Sequence, residues 1–155
     1  MDVMTEIFRH YDQAQLDAQY DQATLVPDLG PYLDYWRTGS AAARADLSCE
    51  LDIVYGRSRF ETLDLFKPDQ FKSGQFKSER ANAPVHLNFH GGAWKLLDKD
   101  DAAYPAPAIV AAGAIYVAVG FGLVPAVPLA EQVRQARAAV AWTWRNIVRH
   151  GGDSA

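Results

Sequence analysis

Apolar residues along this chain follow two spacings, and each spacing predicts a different kind of element. Apolar and polar residues alternate over Leu51–Tyr55 and Leu63–Leu65, which predicts two short strands. A third strand is predicted over Val85–His90 and a fourth over Ala114–Val119. The fourth is almost wholly apolar, which is typical of a strand whose two faces are both covered.

The residues before the first strand are predicted to be helical and to form a lead-in, residues 1–49, ahead of an α/β domain, residues 50–155. Proline favours the first position of a helix, and serine favours the cap before it. These signals predict helices over residues 32–37, after Pro31, and residues 41–47, after Ser40, and a weak apolar periodicity makes residues 4–20 compatible with a helix.

Two further helices are predicted between and after the last two strands. The first runs from about Ala106 to Gly113, and Asp98, Asp100 and Asp101 lie near its positive N-terminal end. Pro105 and Pro107 predict a broken entry into it. Since strands and helices alternate, we expect an α/β fold with a mostly parallel sheet.

The last helix is predicted to start with Pro128 at its first position and to end before Gly151. Its apolar residues recur at steps of three and four, so they should form one stripe facing the core. Trp142 and Trp144 point about 200° apart, so only one of them can join that core. The stripe consists of Leu129, Val133, Ala136, Val140, Trp144 and Ile147.

Composition narrows the functional class. The 155 residues are 49% hydrophobic and 22% charged, with a net charge of −4, as expected for one globular domain. The acidic balance, without a basic cluster, argues against nucleic-acid binding. The longest apolar stretch, residues 106–119, is too short for a membrane span. A single cysteine, Cys49, and an N-terminus unlike a signal peptide favour a cytoplasmic protein.

The segment that most strongly suggests a functional site is His90-Gly91-Gly92-Ala93-Trp94, directly after the third strand. Two glycines at the carboxyl end of a buried strand can leave backbone N–H groups free to bind a developing oxyanion. The same two glycines are also compatible with a simple tight turn. The dipeptide alone does not separate these readings.

His-Gly-Gly-x-Trp resembles the oxyanion loop of α/β-hydrolases, in particular the branch that contains kynurenine formamidase and related bacterial esterases. Further ordered segments resemble the same family: Tyr55-Gly56, Glu61–Phe66, Ala111–Val117, Leu123–Pro125, Val133–Asn146 and Gly151–Asp153. Phe121, Gly122 and Ser154 depart from the family pattern, which has Tyr, a charged residue and Pro at these places. The resemblance implies the N-terminal half of an α/β-hydrolase fold and a carboxylic ester or an aryl formamide, such as N-formylkynurenine, as substrate.

The resemblance also implies roles for individual residues. The amides of Gly92 and Ala93 would be the oxyanion donors, with Gly91 allowing the close approach. His90 would support the loop, and Trp94 and Phe121 would line the substrate pocket. No cofactor is implied.

The family's Gly-x-Ser-x-Gly nucleophile motif does not occur in the sequence. We therefore expect none of the nucleophile, acid and histidine of the triad in this chain, and an inactive protein when it is alone. The family's strand order, 1-2-4-3-5, leaves strand three as an open edge, which favours self-association or a complementing chain. The alternative function is accordingly a non-catalytic partner module.

Three other patterns are weaker. His86 and His90 would lie about 13 Å apart on a strand, too far for one metal ion. Gly120-Phe121-Gly122 lacks the third glycine and the acidic residue of a dinucleotide site. Lysines alternate with phenylalanines at residues 66–77, which is more typical of a solvated loop with aromatic anchors than of a nucleic-acid surface.

Overall fold

The computed structural model describes residues 6–21, 26–68 and 82–154. The chain divides into two compact units, Met1–Leu33 and Asp34–Ala155. In the first unit, helix α1 spans Gln13–Tyr20. The Asp12 side chain accepts the amide of Gln15, whose own side chain accepts the amide of Asp12, so a capping box starts this helix.

The second unit is built on a four-stranded sheet of order β1-β2-β4-β3. β1 and β4 pair antiparallel with β2, whereas β3 and β4 pair in parallel. Among the described strands two pairings are antiparallel and one is parallel, so the sheet is mixed and not mostly parallel as predicted. β3 lies at one edge, as the family's strand order implies. The strands span Ser48–Val54 (β1), Thr62–Lys67 (β2), Val85–Phe89 (β3) and Ile115–Val119 (β4).

Helices cover both faces of this sheet, which confirms the predicted α/β class. Alternate residues of β4 face opposite sides, and all five are fully buried. Ile115, Val117 and Val119 pack in one core cluster with Ala139 of helix α4, which spans Leu129–Asn146. On the other face, Tyr116 and Ala118 pack with helices α2 (Gly30–Asp46) and α3 (Ala106–Ala111).

Helix α2 is continuous, so the predicted break at Ser40 is wrong. Ser40 is fully buried in the middle of the helix. Its hydroxyl accepts the amides of Ala103 (3.0 Å) and Tyr104 (2.9 Å) instead of capping a new helix. A serine within a helix is compatible with this role because its side chain satisfies two buried backbone donors of another segment.

The aspartates before α3 do not lie at its N-terminus, where the prediction placed them. They lie in and before a separate 3-10 helix, Lys99–Asp101, and Asp100 and Asp101 pair instead with Arg44 (2.9 Å) and Arg37 (3.3 Å) of α2. Regular helix begins at Ala106 and the chain turns at Gly113 (φ +87°), as predicted. The broken entry at the prolines is thus confirmed, and ion pairing explains the acidic residues.

Helix α4 buries a different face from the predicted one. Four residues of the predicted stripe are more than half exposed: Leu129, Val133, Val140 and Trp144. The buried face consists of Gln132, Gln135, Ala139 and Thr143. Of the predicted stripe, Ile147 is buried, in the 3-10 helix Ile147–His150, and Trp142 packs against the core while Trp144 does not.

Part of the predicted lysine–phenylalanine loop, residues 69–81, lies outside the described residues. Within the described residues, every helix is too short or too polar to cross a bilayer.

Candidate functional site

The loop after β3 has an unusual backbone. Gly92, Ala93, Trp94 and Leu97 have φ values of +112°, +50°, +63° and +69°. Non-glycine residues adopt this left-handed region at a cost, and such residues concentrate at functional sites. The amides of Lys95 and Leu96 both donate to the Gly92 carbonyl oxygen, at 3.1 and 2.9 Å, which holds the turn closed.

The two glycines of the loop have different steric surroundings. A Cβ atom on Gly92 would lie 2.7 Å from the carbonyl carbon of Leu96 and closer still to its oxygen. A Cβ atom on Gly91 would meet nothing within 4 Å. The second glycine is therefore required by the fold of the loop, and the first is not required by packing.

The backbone amides of Gly92 and Ala93 have no hydrogen-bond acceptor among the described residues. Within the described part of the chain, neither N–H donates a hydrogen bond to a backbone or side-chain acceptor. Ala93 is exposed and Gly92 is half-buried. These donors are therefore available to an acceptor from outside the chain.

His90 links this loop to the loop after β4. Its Nδ1 lies 2.8 Å from the carbonyl oxygen of Gly91, and because that oxygen only accepts, Nδ1 carries the proton in this contact. The imidazole stacks on Phe121 with ring centroids 4.3 Å apart. His90 thus contacts both Gly91 and Phe121, one of the two residues predicted to line the pocket.

The Trp94 carbonyl oxygen is a second point of attachment. It accepts the amide of Val124 and the Nε2 amide of Gln132, each at 3.0 Å. Gln135, one turn along α4, accepts the amide of Gly122 at 2.7 Å. The buried polar face of α4 therefore holds the two loops at the carboxyl ends of β3 and β4.

The glycine at position 122, where the family has a charged residue, is explained by close packing. A Cβ atom on Gly122 would overlap with Cγ2 of Val127 and come within 3.0 Å of the Phe60 ring. A larger side chain does not fit here without moving its neighbours. The amide of Gly122 is nevertheless satisfied, by Gln135.

A cavity of about 390 Å³ opens between the two loops and α4. It brings together five of the six predicted site residues, whereas Gly92 is not among its lining residues. Sequence reasoning missed the contribution of α4, although four of these residues recur at helical spacing from Leu129 onwards. The lining consists of Phe89, His90, Gly91, Ala93, Trp94, Phe121, Leu129, Gln132, Val133 and Ala136.

A buried carboxylate supports the start of α4. Glu61 is fully buried and accepts the amides of Arg57 (2.9 Å) and Ser58 (2.7 Å) and the guanidinium of Arg134 (2.7 Å). Burial by itself raises the pKa of the Glu61 carboxyl, but these three donors outweigh it and hold the pKa below its ordinary value of 4.5. Glu61 is thus an ionised structural anchor.

Other ionisable groups of the described residues do not converge on the cavity. No group of three His, Cys, Asp or Glu side chains within the described ranges could hold a metal ion. His86, the histidine within β3, stacks on Tyr116 with ring centroids 5.6 Å apart. The described lining of the cavity is therefore mainly apolar and aromatic, and the loop that carries the unbonded Gly92 and Ala93 amides lies at its edge.

No family model matches the chain. Among curated proteins, it is 28% identical to kynurenine formamidase of Danio rerio over 132 residues, which are 81% of this chain and 42% of that protein. It is 31% identical to esterase LipQ of Mycobacterium tuberculosis over 104 residues, 66% of this chain and 23% of that protein. The chain thus spans less than half the length of these relatives.

Solved structures agree on the fold. Esterase B from Lactobacillus rhamnosis aligns with a TM-score of 0.60 at 21% identity, covering 86% of this chain and 43% of the esterase. Esterase LipW from Mycobacterium marinum aligns with a TM-score of 0.57 at 19% identity, covering 81% of this chain and 38% of the esterase. The resemblance to α/β-hydrolases is therefore confirmed: the homologues of this chain are kynurenine formamidase and esterases, and its structure is part of the α/β-hydrolase fold.

Proposed function

We propose that this chain supplies the oxyanion-binding loop of a serine-type hydrolase that acts on carboxylic esters or aryl formamides. The observation that carries the proposal is the left-handed loop at residues 92–94, whose Gly92 and Ala93 amides have no acceptor within the described residues. This loop borders an apolar cavity that can hold an acyl or aryl group. The similarity to kynurenine formamidase and to esterase LipQ supports hydrolysis of an acyl bond in general.

In the proposed reaction, a serine oxygen adds to the substrate carbonyl carbon and the carbonyl oxygen becomes an oxyanion. The amides of Gly92 and Ala93 would donate to that oxyanion, and one such donor is worth about 3 kcal/mol of transition-state stabilisation. The sequence has no Gly-x-Ser-x-Gly motif. We therefore assign the nucleophile, the acid and the triad histidine to a segment other than these 155 residues.

Phenylphosphonate is a suitable probe because its anionic tetrahedral oxygens imitate the oxyanion and need no nucleophile. In an NMR titration, we expect the amide resonances of Gly92 and Ala93 to shift most and to move downfield. Gly92→Ala should abolish these shifts, whereas Gly91→Ala, the matched control, should keep them. Shifts confined to other surfaces of the chain would contradict the proposal.

A second candidate is that the chain acts as a partner module. The specific observation is an open β3 edge beside exposed apolar side chains of α4, namely Val133, Val140 and Trp144. We propose that the remaining strands of a hydrolase domain cover this surface, since the relatives are more than twice as long as the matched region.

Complementation separates the two candidates. The chain alone should neither turn over p-nitrophenyl acetate nor react with a fluorophosphonate probe. Mixing it with a polypeptide that carries the nucleophile motif and the later strands should restore both if the chain supplies an oxyanion loop. Complex formation without restored turnover would instead favour a purely structural module, and labelling of the 155-residue chain by itself would refute the assignment of the nucleophile elsewhere.

A further inference from the structure

The loop after β3 is hydrogen-bonded to the rest of the fold at one point. Ala93 and Trp94 are exposed, so packing contributes little to holding their left-handed backbone. The bonds to the Gly92 carbonyl and to the His90 ring are local. Within the described ranges, the only hydrogen bonds that join residues 91–97 to another element meet at the Trp94 carbonyl oxygen. That oxygen therefore fixes the loop against the second unit.

Two donors from different elements bond to this oxygen, each at 3.0 Å. One is the amide of Val124, in the loop after β4, and the other is Nε2 of Gln132, on helix α4. Only the four backbone torsions of Ala93 and Trp94 lie between this oxygen and the Ala93 N–H. L-residues prefer negative φ, so these torsions relax when the oxygen is released. The two bonds thus control the direction of the Ala93 N–H.

Gln132 is not bonded in the way expected of a residue that stabilises the fold. It is only 4% exposed, and its Oε1 is a buried atom without a hydrogen-bond partner among the described residues. An unpaired buried acceptor costs about as much free energy as a hydrogen bond supplies. If an apolar side chain replaced Gln132, the Trp94 oxygen would keep its bond from Val124. The free energy of unfolding should therefore hardly change.

We propose that Gln132 is a positioning residue of the oxyanion loop. Its bond to the Trp94 carbonyl keeps Ala93 and Trp94 left-handed, and thereby aims the free amides of Gly92 and Ala93 at one oxyanion. The inference rests on the proposed function and adds a residue of α4 to that site. Gln132 touches no substrate in this role. Without it, the single bond from Val124 leaves the loop free to turn, and the two donors no longer converge.

Gln132→Met tests this role, because methionine has a similar length and remains apolar but carries no N–H donor. In NMR relaxation measurements on the 155-residue chain, the order parameters of Ala93 and Trp94 should fall from about 0.85, typical of rigid backbone, to below about 0.6. The dissociation constant of phenylphosphonate, followed at the Gly92 and Ala93 amides, should rise about tenfold, as for the loss of one hydrogen bond. The midpoint of urea denaturation should stay at the wild-type value.

Gln135→Met is the matched control for stability, since it makes the same substitution one turn further along α4. Gln135 is 1% exposed and accepts the amide of the buried Gly122 at 2.7 Å. Its loss leaves a buried donor unpaired, so the urea midpoint should fall. This variant shows that denaturation detects the loss of a glutamine that does stabilise the fold.

The inference is overturned if either the order parameter of Ala93 or the affinity for phenylphosphonate stays at the wild-type value in Gln132→Met. A lower urea midpoint or a failure to fold would also overturn it, because Gln132 would then be a general structural residue. The wild-type titration separates the two proposals. If phenylphosphonate does not shift the Gly92 and Ala93 amides of the wild type, the proposed function fails and the inference with it. If it shifts them and Gln132→Met binds equally well, only the role of Gln132 fails.

Discussion

Gly91 and Gly92 are adjacent and identical in chemistry, yet the structure places opposite demands on them. Gly92 combines a φ of +112° with a carbonyl group where a Cβ atom would be, whereas the space beside Gly91 is open. The left-handed backbone continues into Ala93 and Trp94, which have no glycine to relieve it. Strain at a site is sustained by surrounding contacts, and here the Trp94 carbonyl bonds provide them.

At this scale we predict that Gly92→Ala lowers the free energy of unfolding by about 1–3 kcal/mol, because it adds both a disfavoured φ and a steric overlap. Gly91→Ala should change it by less than about 0.5 kcal/mol. Urea denaturation followed by circular dichroism measures both variants. Equal effects of the two substitutions would show that the loop does not have the conformation described.

The ionised state of Glu61 predicts a dependence of stability on pH. Because its pKa is lower in the folded than in the unfolded chain, its contribution is fully present above about pH 4.5. That contribution is lost as the pH falls through the folded pKa. Glu61→Gln should cost about 1–3 kcal/mol at pH 7, and its difference from the wild type should shrink below pH 4.5.

Denaturation at several pH values checks this, with the exposed Glu6→Gln as control. A difference between wild type and Glu61→Gln that stays constant from pH 7 to pH 3 would exclude ionic anchoring by this carboxylate.

At the scale of elements, helix α4 has an inner face that is largely polar. Its glutamines bond to backbone groups of the loops after β3 and β4, and Thr143 bonds to the Ala139 carbonyl within the helix. Burying these side chains is tolerated because each makes a hydrogen bond. The inner face of the helix thus hydrogen-bonds to the two loops, while most of its apolar stripe remains exposed on the outer face.

Neighbouring residues of α4 therefore should respond differently to the same change. Ala139→Asp places a charge in the fully buried core and should cost about 3 kcal/mol or more. Val140→Asp changes a half-exposed position and should cost less than about 1 kcal/mol. Thermal and urea denaturation distinguish this from the reverse order, which the apolar stripe alone would predict.

The elements show what a sequence can and cannot reveal. All four strands were predictable, since alternation and the apolar run at Ile115–Val119 reflect burial on one or both sheet faces. The buried face of α4 was not, because hydrophobic periodicity assumes that apolar side chains face the core of the same chain. Ser40 was misread for a related reason: a capping residue and a buried acceptor use the same hydroxyl, and only the tertiary fold chooses between them.

The residues that line the cavity were predictable to a similar degree, although their roles remain proposals. The His90–Trp94 loop and Phe121 carry recognisable residue types, and the structure brings them to one cavity. The sequence does not predict that Gln132 lines the cavity, because a glutamine in a helix is ordinarily a solvated residue. In this fold Gln132 is buried, and its Nε2 donates to the Trp94 carbonyl oxygen, 38 positions away in the sequence.

At the scale of the whole molecule, the described residues leave one side of the second unit uncovered. The open edge of β3 ends at Phe89, which is 37% exposed, beside the exposed Val133, Val140 and Trp144 of α4. A second groove, lined by Phe89, Val140 and Trp144 among others, continues from the first cavity along this surface. Contiguous apolar surface next to an unpaired strand edge is typical of an interface.

We therefore predict that the 155-residue chain self-associates as its concentration rises, because both the apolar surface and the strand edge can be covered by a second copy. Sedimentation velocity should show an increasing weight-average sedimentation coefficient over a micromolar range. Trp144→Glu should weaken this association at least tenfold, since it puts a charge into the centre of the surface. Val54→Glu, at a similarly exposed apolar residue of β1, is the matched control and should leave it unchanged. A chain that stays monomeric at all concentrations and melts in one cooperative transition would mean that this surface is stable in water without a partner, and would remove the main argument for a complementing chain.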